Sequence, residues 1–226
     1  MLEIPRDDIR DRTNYPMQET WLHKGAVSFL SFLFRFMMIL EVEGLENLPR
    51  QGPAVLTPNH LTNFDAFPLQ IAIPRCLFYM GKAELFKNPI LHALFRQLAG
   101  YPVYRGARDE WAILHSKRLI IAGQVICIFP EGTRSKGRGL KVAKTGAARL
   151  AIEANCPVVP VAVDGSQQFF KRFPRRTRVR VRVCKPIWPA KDELPLAMTE
   201  RIMFTLAEHL PNNLRGVYRD FTAKKF

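Results

Sequence analysis

The sequence predicts an α/β fold, a mixed and largely parallel sheet flanked by helices, and three observations carry that expectation. Short apolar runs rich in β-branched residues alternate with segments of helical period along residues 42–226, the order that builds a sheet covered by crossover helices. No internal repeat or low-complexity linker divides that region, so it reads as one domain, 42–226, behind a helical segment, 1–41. Hydrophobic residues make up 47 % of the 226-residue chain, enough to fill such a core.

The first element is WLHKGAVSFLSFLFRFMMIL, residues 21–40. It has about the length of a bilayer-spanning helix, roughly 20 residues, but Lys24 and Arg35 interrupt it. On a helix, Lys24, Ser28, Ser31 and Arg35 form one narrow polar stripe, with Phe29, Phe32, Leu33, Phe36, Met37 and Leu40 on the opposite side. That pattern predicts an amphipathic helix lying in the interface of an anionic membrane, its cations near head groups. Packing on the protein's own core is the alternative, and a true span is disfavoured because an arginine at mid-depth costs about 2.5–3.5 kcal/mol. Strands follow at 54–57, 77–80, 125–129, 158–163 and 177–183, and helices at 64–72, 84–98, 109–122, 141–154 and 199–210. Asp109 suits the start of the third of these helices, Gly123 its end, and Pro211 stops the last. Arg176, Arg178, Arg180 and Arg182 alternate with Thr177, Val179, Val181 and Val183, the period of a strand with one buried and one charged face.

Charge narrows the partners. There are 34 Lys and Arg against 20 Asp and Glu, a net of +14, which attracts polyanions: nucleic acid, an anionic membrane face or an acidic carrier protein. No nucleic-acid module accompanies the arginines, so nucleic acid is not expected as a partner. Cys76, Cys127, Cys156 and Cys184 form no C-x-x-C pair, which gives neither a zinc site nor a disulfide framework any support. They read as core residues in a reducing compartment. The first twenty residues are polar and of mixed charge, wrong for a secretory signal, so the chain is expected on the cytoplasmic face of a membrane, peripheral or monotopic.

Three clusters carry chemistry. NHLTNFD, 59–65, sets His60 five residues ahead of Asp65 at a strand-to-helix turn, where the carboxylate can hold one ring N–H and leave the other nitrogen free as a base. The strand-like VICI runs into FPEGTRS, 129–135, a loop at a strand's C-terminal end, where open α/β sheets place ligands. Arg134 there offers a planar fork suited to phosphate, Gly132 permits close backbone approach, and Lys136, Arg138, Lys141 and Lys144 add positive charge. GYPVYRG, 100–106, ends an apolar run with Arg105.

Together these clusters resemble the glycerolipid acyltransferase family, most closely its lysophosphatidic acid acyltransferase branch. The family's H-x-x-x-x-D is similar to His60–Asp65, its glycine-to-arginine run to Gly100–Arg105, its F-P-E-G-T-R-S to residues 129–135, and its proline-bounded strand to CPVVPVAV, 156–163; GKAELF, 81–86, resembles its lysine-bearing segment. The resemblance spans about residues 42–190 and implies the family's fold and an enzyme. It implies that His60 takes the proton of an acceptor hydroxyl while Asp65 orients the imidazole. It assigns Glu131 and Gly132 to the acceptor's glycerol end, Arg105 and Arg134 to its phosphate, and Lys82 to phosphate or oxyanion; Thr133 contacts substrate or shapes the turn. The implied reaction moves a fatty acyl group from an acyl carrier protein or coenzyme A thioester, a co-substrate, to the sn-2 hydroxyl of lysophosphatidic acid, giving phosphatidic acid, with no cofactor and no metal. Another lysophospholipid, glycerol 3-phosphate or a neutral lipid alcohol remain alternative acceptors. A non-catalytic membrane lipid-binding protein is the reading from another class, and the intact His60, Asp65 and Glu131 argue against it. No G-x-S-x-G occurs, so an acyl-serine route lacks its usual signature.

Overall fold

The computed structural model describes residues 8, 10, 13–106, 109–169, 171 and 174–219. Expectations that concern the rest of the opening residues, or Arg172 and Phe173 beside the basic run, lie outside them. Among the described residues one sheet of seven strands forms: β1 (Met38–Glu43), β2 (Ala54–Pro58), β3 (Leu77–Lys82), β4 (Gly100–Val103), β5 (Val125–Cys127), β6 (Val158–Asp164) and β7 (Thr177–Val183). Their order is β1-β7-β6-β2-β5-β3-β4. Every neighbouring pair is parallel except β6 with β7, so the sheet is mixed and largely parallel, as the alternation of elements predicts.

Six α-helices among the described residues cover it: α1 (Trp21–Phe34), α2 (Ala66–Ala72), α3 (Pro89–Gln97), α4 (Glu110–Ile121), α5 (Gly146–Ala154) and α6 (Pro195–His209). The strand residues divide by parity between two apolar layers. Val55, Ile126 and Val158 pack with Leu119, Ala147, Ala148, Ile202 and Leu206 of α4, α5 and α6. Leu56, Val125, Cys127, Val159 and Val161 pack on the other face with Phe34, Leu69 and Ile73, from α1 and the end of α2. All four cysteines are buried and free.

Several expected boundaries move, each for a local reason. The helix expected over 21–40 ends at Phe34, because Met38–Glu43 pairs with β7 as β1 and the ladder overrides the helical period; Leu40 is therefore a strand residue. β1 continues across position 41 into the sheet. The helix expected over 84–98 is a 3-10 turn, Ala83–Phe86, followed by α3, which starts afresh where Asn88 caps the amides of Ile90 and Leu91 and Pro89 fits the first turn. The segment 141–145 is not helical, because the Lys141 amide donates to Glu131 and the Lys144 amide to the Pro130 carbonyl. α6 starts earlier than expected, at Pro195. The alternating strand behaves as its pattern predicts: Val179, Val181 and Val183 are buried, while Arg180 and Arg182 on the outer face donate to Glu41 and Glu43 of β1 at 2.8 Å each.

α1 has two apolar faces. His23, Leu30 and Phe34 turn inward, with the Phe34 ring stacked 4.9 Å from that of Phe67. Phe29, Phe32 and Phe36 remain 62 %, 51 % and 54 % exposed, and Arg35 lies 4.7–4.8 Å over the rings of Phe32 and Phe36. Because β7 runs against β6, the start of β1 and the C-terminal end of α1 stand at the edge of the sheet where β2 and β6 end. No helix among the described residues is long and apolar enough to cross a membrane.

Candidate active site

The site lies at the C-terminal ends of the parallel strands, where an open α/β sheet leaves its loops free to hold ligands. β2 delivers Asn59 and His60 as it ends at Pro58. Asn59 is fully buried and exchanges two bonds with β6, donating to the Val163 carbonyl at 2.9 Å and accepting from the Val163 amide at 2.7 Å. It fixes the loop that carries His60.

His60 Nδ1 lies 2.8 Å from Asp65 Oδ2, so the five-residue step does bring ring and carboxylate together around the turn. Asp65 is fully buried and surrounded by donors: besides the imidazole, the amides of Leu61 and Thr62 reach Oδ2, and the hydroxyls of Thr62 and Ser166 reach Oδ1. A carboxylate only accepts, so the proton of the His60–Asp65 bond sits on Nδ1, and in the neutral imidazole the lone pair is then on the second ring nitrogen. The imidazole is stacked on Phe129, centroids 4.0 Å apart at 26°, and its side chain is 14 % exposed. It is held on one edge and one face while its other edge meets the surroundings.

The loop after β5 is clipped to the same turn. Glu131 is 3 % exposed, and its two oxygens accept the amides of His60 at 2.7 Å and Lys141 at 2.9 Å. Burial pushes its carboxyl up to about 7, against the two amides, which favour the charged form. The Ser135 amide returns a bond to the His60 carbonyl at 2.7 Å, and that of Lys136 to Leu61 at 3.0 Å. Gly132 has φ +63°, and a Cβ there would meet the Lys144 side chain at 3.2 Å, so the turn needs glycine for its backbone and for the lysine stem above it.

A cavity of about 180 Å³ borders Phe129, Gly132, Lys144 and Arg105. A larger one of about 470 Å³ shares Arg105 and Lys144 with it and runs between α4 and α5, with Met80, Ile113, Ile128 and Leu150 in its wall and Arg149 and Lys117 on it. The structure thus brings His60, Asp65, Glu131 and Gly132 together, and Arg105 with Gly132. Thr133 and Arg134 are exposed on the outer side of the loop, Arg134 with its carbonyl accepting from the Lys141 ammonium at 3.0 Å. Lys82 ends β3 and pairs with Glu84 at 3.0 Å on the surface. Neither Arg134 nor Lys82 lines the two cavities. Sequence reasoning passed over Ser166, which no motif marks, and gave Lys144 only a general electrostatic part; its position in the V-A-K-T-G stretch ahead of α5 was the available signal.

Comparison with known proteins adds independent findings. The model of the acyltransferase family matches residues 39–164, more than half of the chain. A 1-acyl-sn-glycerol-3-phosphate acyltransferase of Bacillus subtilis (strain 168) is 27 % identical over 201 residues, which cover 85 % of this chain and 98 % of that protein. A chloroplastic protein of the same name from Arabidopsis thaliana is 30 % identical over 162 residues, 69 % of this chain but 45 % of that longer one. The crystal structure of PlsC, the 1-acyl-sn-glycerophosphate acyltransferase of Thermotoga maritima, superposes with a TM-score of 0.70 at 20 % identity, over 90 % of this chain and 81 % of that one, and shows that the fold is shared.

Proposed function

The chain belongs to the acyltransferase family, and from that premise we propose that it acylates the free sn-2 hydroxyl of lysophosphatidic acid from a thioester donor, giving phosphatidic acid. The observation that carries the reading is the 2.8 Å pair of His60 with a fully buried Asp65. The free nitrogen of His60 takes the proton of the acceptor hydroxyl as that oxygen attacks the thioester carbonyl. Asp65 holds the ring and stabilises the imidazolium that forms. Collapse of the tetrahedral intermediate breaks the carbon–sulfur bond, and the departing thiolate takes the proton back, leaving ester and thiol. The acceptor's own hydroxyl is the nucleophile and a thiolate leaves readily, so this route calls on no nucleophile from the chain itself.

Support for a phosphorylated acceptor comes from the cations beside Gly132, Arg105 and Lys144, which line the same cavity as that glycine, with Arg149 further along the wall of the larger one; a phosphate drawn partly out of water needs such partners. The names of the curated relatives point the same way. Glu131 acts in this reading as the clip that fixes the loop against His60, with Gly132 offering its backbone to the glycerol end. The donor is the thioester of an acyl carrier protein or of coenzyme A, and the positive surface suits either. Arg105→Ala and Arg134→Ala test the phosphate assignment separately. Loss of a charged hydrogen bond is worth about 1.5–3 kcal/mol, so the true phosphate ligand should lose about 10–10²-fold in kcat/KM for phosphorylated acceptors and little for neutral ones. An equal loss for both would mark that arginine as structural.

The exposed Phe29, Phe32 and Phe36, rimmed by Arg35 at the catalytic edge, support peripheral docking on an anionic bilayer. Their side chains leave the core unaffected, so Phe29→Ser, Phe32→Ser and Phe36→Ser combined should keep the fold and lose co-sedimentation with vesicles of anionic phospholipid. Undiminished co-sedimentation would assign docking to another face. The function itself is tested by thiol release from palmitoyl thioesters of coenzyme A and of acyl carrier protein, with lysophosphatidic acid, lysophosphatidylcholine, glycerol 3-phosphate or no acceptor. Release that requires lysophosphatidic acid supports the reading, and release with another acceptor alone overturns the acceptor assignment.

A further inference from the structure

The segment ahead of α1 makes a contact that the reaction does not by itself require. Arg10 is 3 % exposed, and its Nη1 donates to both oxygens of Asp109, at 2.7 and 2.6 Å, while its Nε donates to Asp8 at 2.7 Å. Its guanidinium lies 4.6 Å from the ring centroid of Tyr104 and 4.8 Å from that of Trp111. Asp109 is a joint in its own right. It caps α4 by accepting the Ala112 amide at 3.1 Å and fastens the preceding loop by accepting the Tyr104 amide at 2.8 Å. The next residue is Arg105, and Tyr104, Arg105, Gly106 and Asp109 all line the larger cavity.

We propose that Arg10 is a positioning residue that acts through Asp109 and Tyr104 to hold Arg105 against the cavity beside Gly132. The inference rests on the assignment of Arg105 to the acceptor phosphate. Asp109 is 4 % exposed, and a carboxylate so buried needs a paired cation. Arg10 supplies it from 99 residues away, its single nitrogen Nη1 meeting both carboxylate oxygens while Nε is held by Asp8, so the guanidinium is tied at two of its nitrogens. The aromatic faces of Tyr104 and Trp111 confine the guanidinium plane. A second anchor follows at Tyr15, whose ring stacks on His92 and meets Trp111 edge-on, centroids 5.9 and 5.5 Å away. The contact therefore falls on the loop that carries the phosphate arm, and loosening it moves Arg105 before it disturbs the two core layers.

The test uses the whole protein with Arg10→Met, Arg10→Lys, Arg105→Ala and the double variant Arg10→Met/Arg105→Ala. Steady-state kinetics give the KM for acceptor, the KM for donor and kcat, and hydrogen exchange gives the protection of the amides of 104–106 against those of β2 and β6. Arg10→Met should raise the acceptor KM about 10–10²-fold, the scale of a displaced binding group, with the donor KM unchanged. Arg10→Lys should recover part of the loss, and Arg10→Met should add nothing once Arg105 is alanine. The Tyr104 amide should lose protection while β2 and β6 keep theirs. Additive losses in the double variant, or a fall in kcat and melting temperature with the acceptor KM unmoved, would overturn the proposal. An Arg105→Ala variant with a wild-type acceptor KM would overturn the phosphate assignment instead; unchanged exchange at 104–106 in Arg10→Met sinks the positioning role whatever the kinetics give.

Discussion

His60→Ala should lower turnover about 10²–10⁴-fold, the range that a positioned general base contributes, with acceptor and donor KM close to those of the parent. The structure says why the loss will be chemical. Asp65 keeps its other donors, the amides of Leu61 and Thr62 and the hydroxyls of Thr62 and Ser166, so its buried carboxylate is not left bare. The turn is held besides by backbone: the His60 amide to Glu131 and the His60 carbonyl to the Ser135 amide, neither of which involves the imidazole. What disappears is one ring stacked on Phe129. Circular dichroism and vesicle binding should match the parent while thiol release falls. Turnover at the parent level would remove His60 from the mechanism, and a matched fall in melting temperature would show that the stack on Phe129 is structural.

The sequence disclosed the site where its partners are close in the chain and hid it where they are distant. His60 and Asp65 are five residues apart, and their spacing around a turn announces the pair. Ser166 reaches Asp65 across 101 residues, Asn59 reaches Val163 across 104, and Arg10 reaches Asp109 across 99, and no local pattern encodes such meetings. The strands show the same division. β6 and β7 were legible because runs of valine buried on one or both faces leave a clear period. β1 was hidden because MILEVE continues the apolar stretch of α1, and only its partner strand, far away in sequence, decides that the chain extends there. β4 is four residues long with a proline in it, too short to declare a period.

The motif loop teaches a related point about roles. The resemblance puts Glu131 at the acceptor's glycerol end, and the structure gives it a second part: each of its oxygens accepts one backbone amide, with acceptor capacity left over. The clip joins the ends of β2 and β5, neighbours in the sheet whose registers place Leu56 beside Cys127. A residue type needed beside a substrate and one needed to hold two loops together look alike in sequence. Among the two arginines position is the difference: Arg105 lines both cavities and Arg134 lines neither, which puts Arg105 ahead as the phosphate ligand and gives the kinetics with phosphorylated and neutral acceptors a definite expectation.

Asp65→Ala and Asp65→Asn both remove the charge, yet they should differ in melting temperature. In Asp65→Ala the amides of Leu61 and Thr62 and Nδ1 of His60 lose their common acceptor in a fully buried place. Each buried donor left unpaired costs about 1–3 kcal/mol, so this variant should melt well below the parent and lose activity with its fold. In Asp65→Asn the carbonyl can keep the Oδ2 position, facing the three N–H donors, because the amide group can take the Oδ1 position, where the hydroxyls of Thr62 and Ser166 can turn to accept. The fold and the tautomer of His60 should therefore survive. What is removed is the negative charge that, in the proposed mechanism, stabilises the imidazolium once the proton has been taken. Turnover in Asp65→Asn should lie between those of the parent and His60→Ala, with a melting temperature nearer the parent's than that of Asp65→Ala. Thermal melts and thiol-release rates on the two variants check both halves. Equal melting temperatures would mean that the donor shell is not what the carboxylate supports, and parent-level turnover in Asp65→Asn would show that the charge contributes nothing to proton transfer.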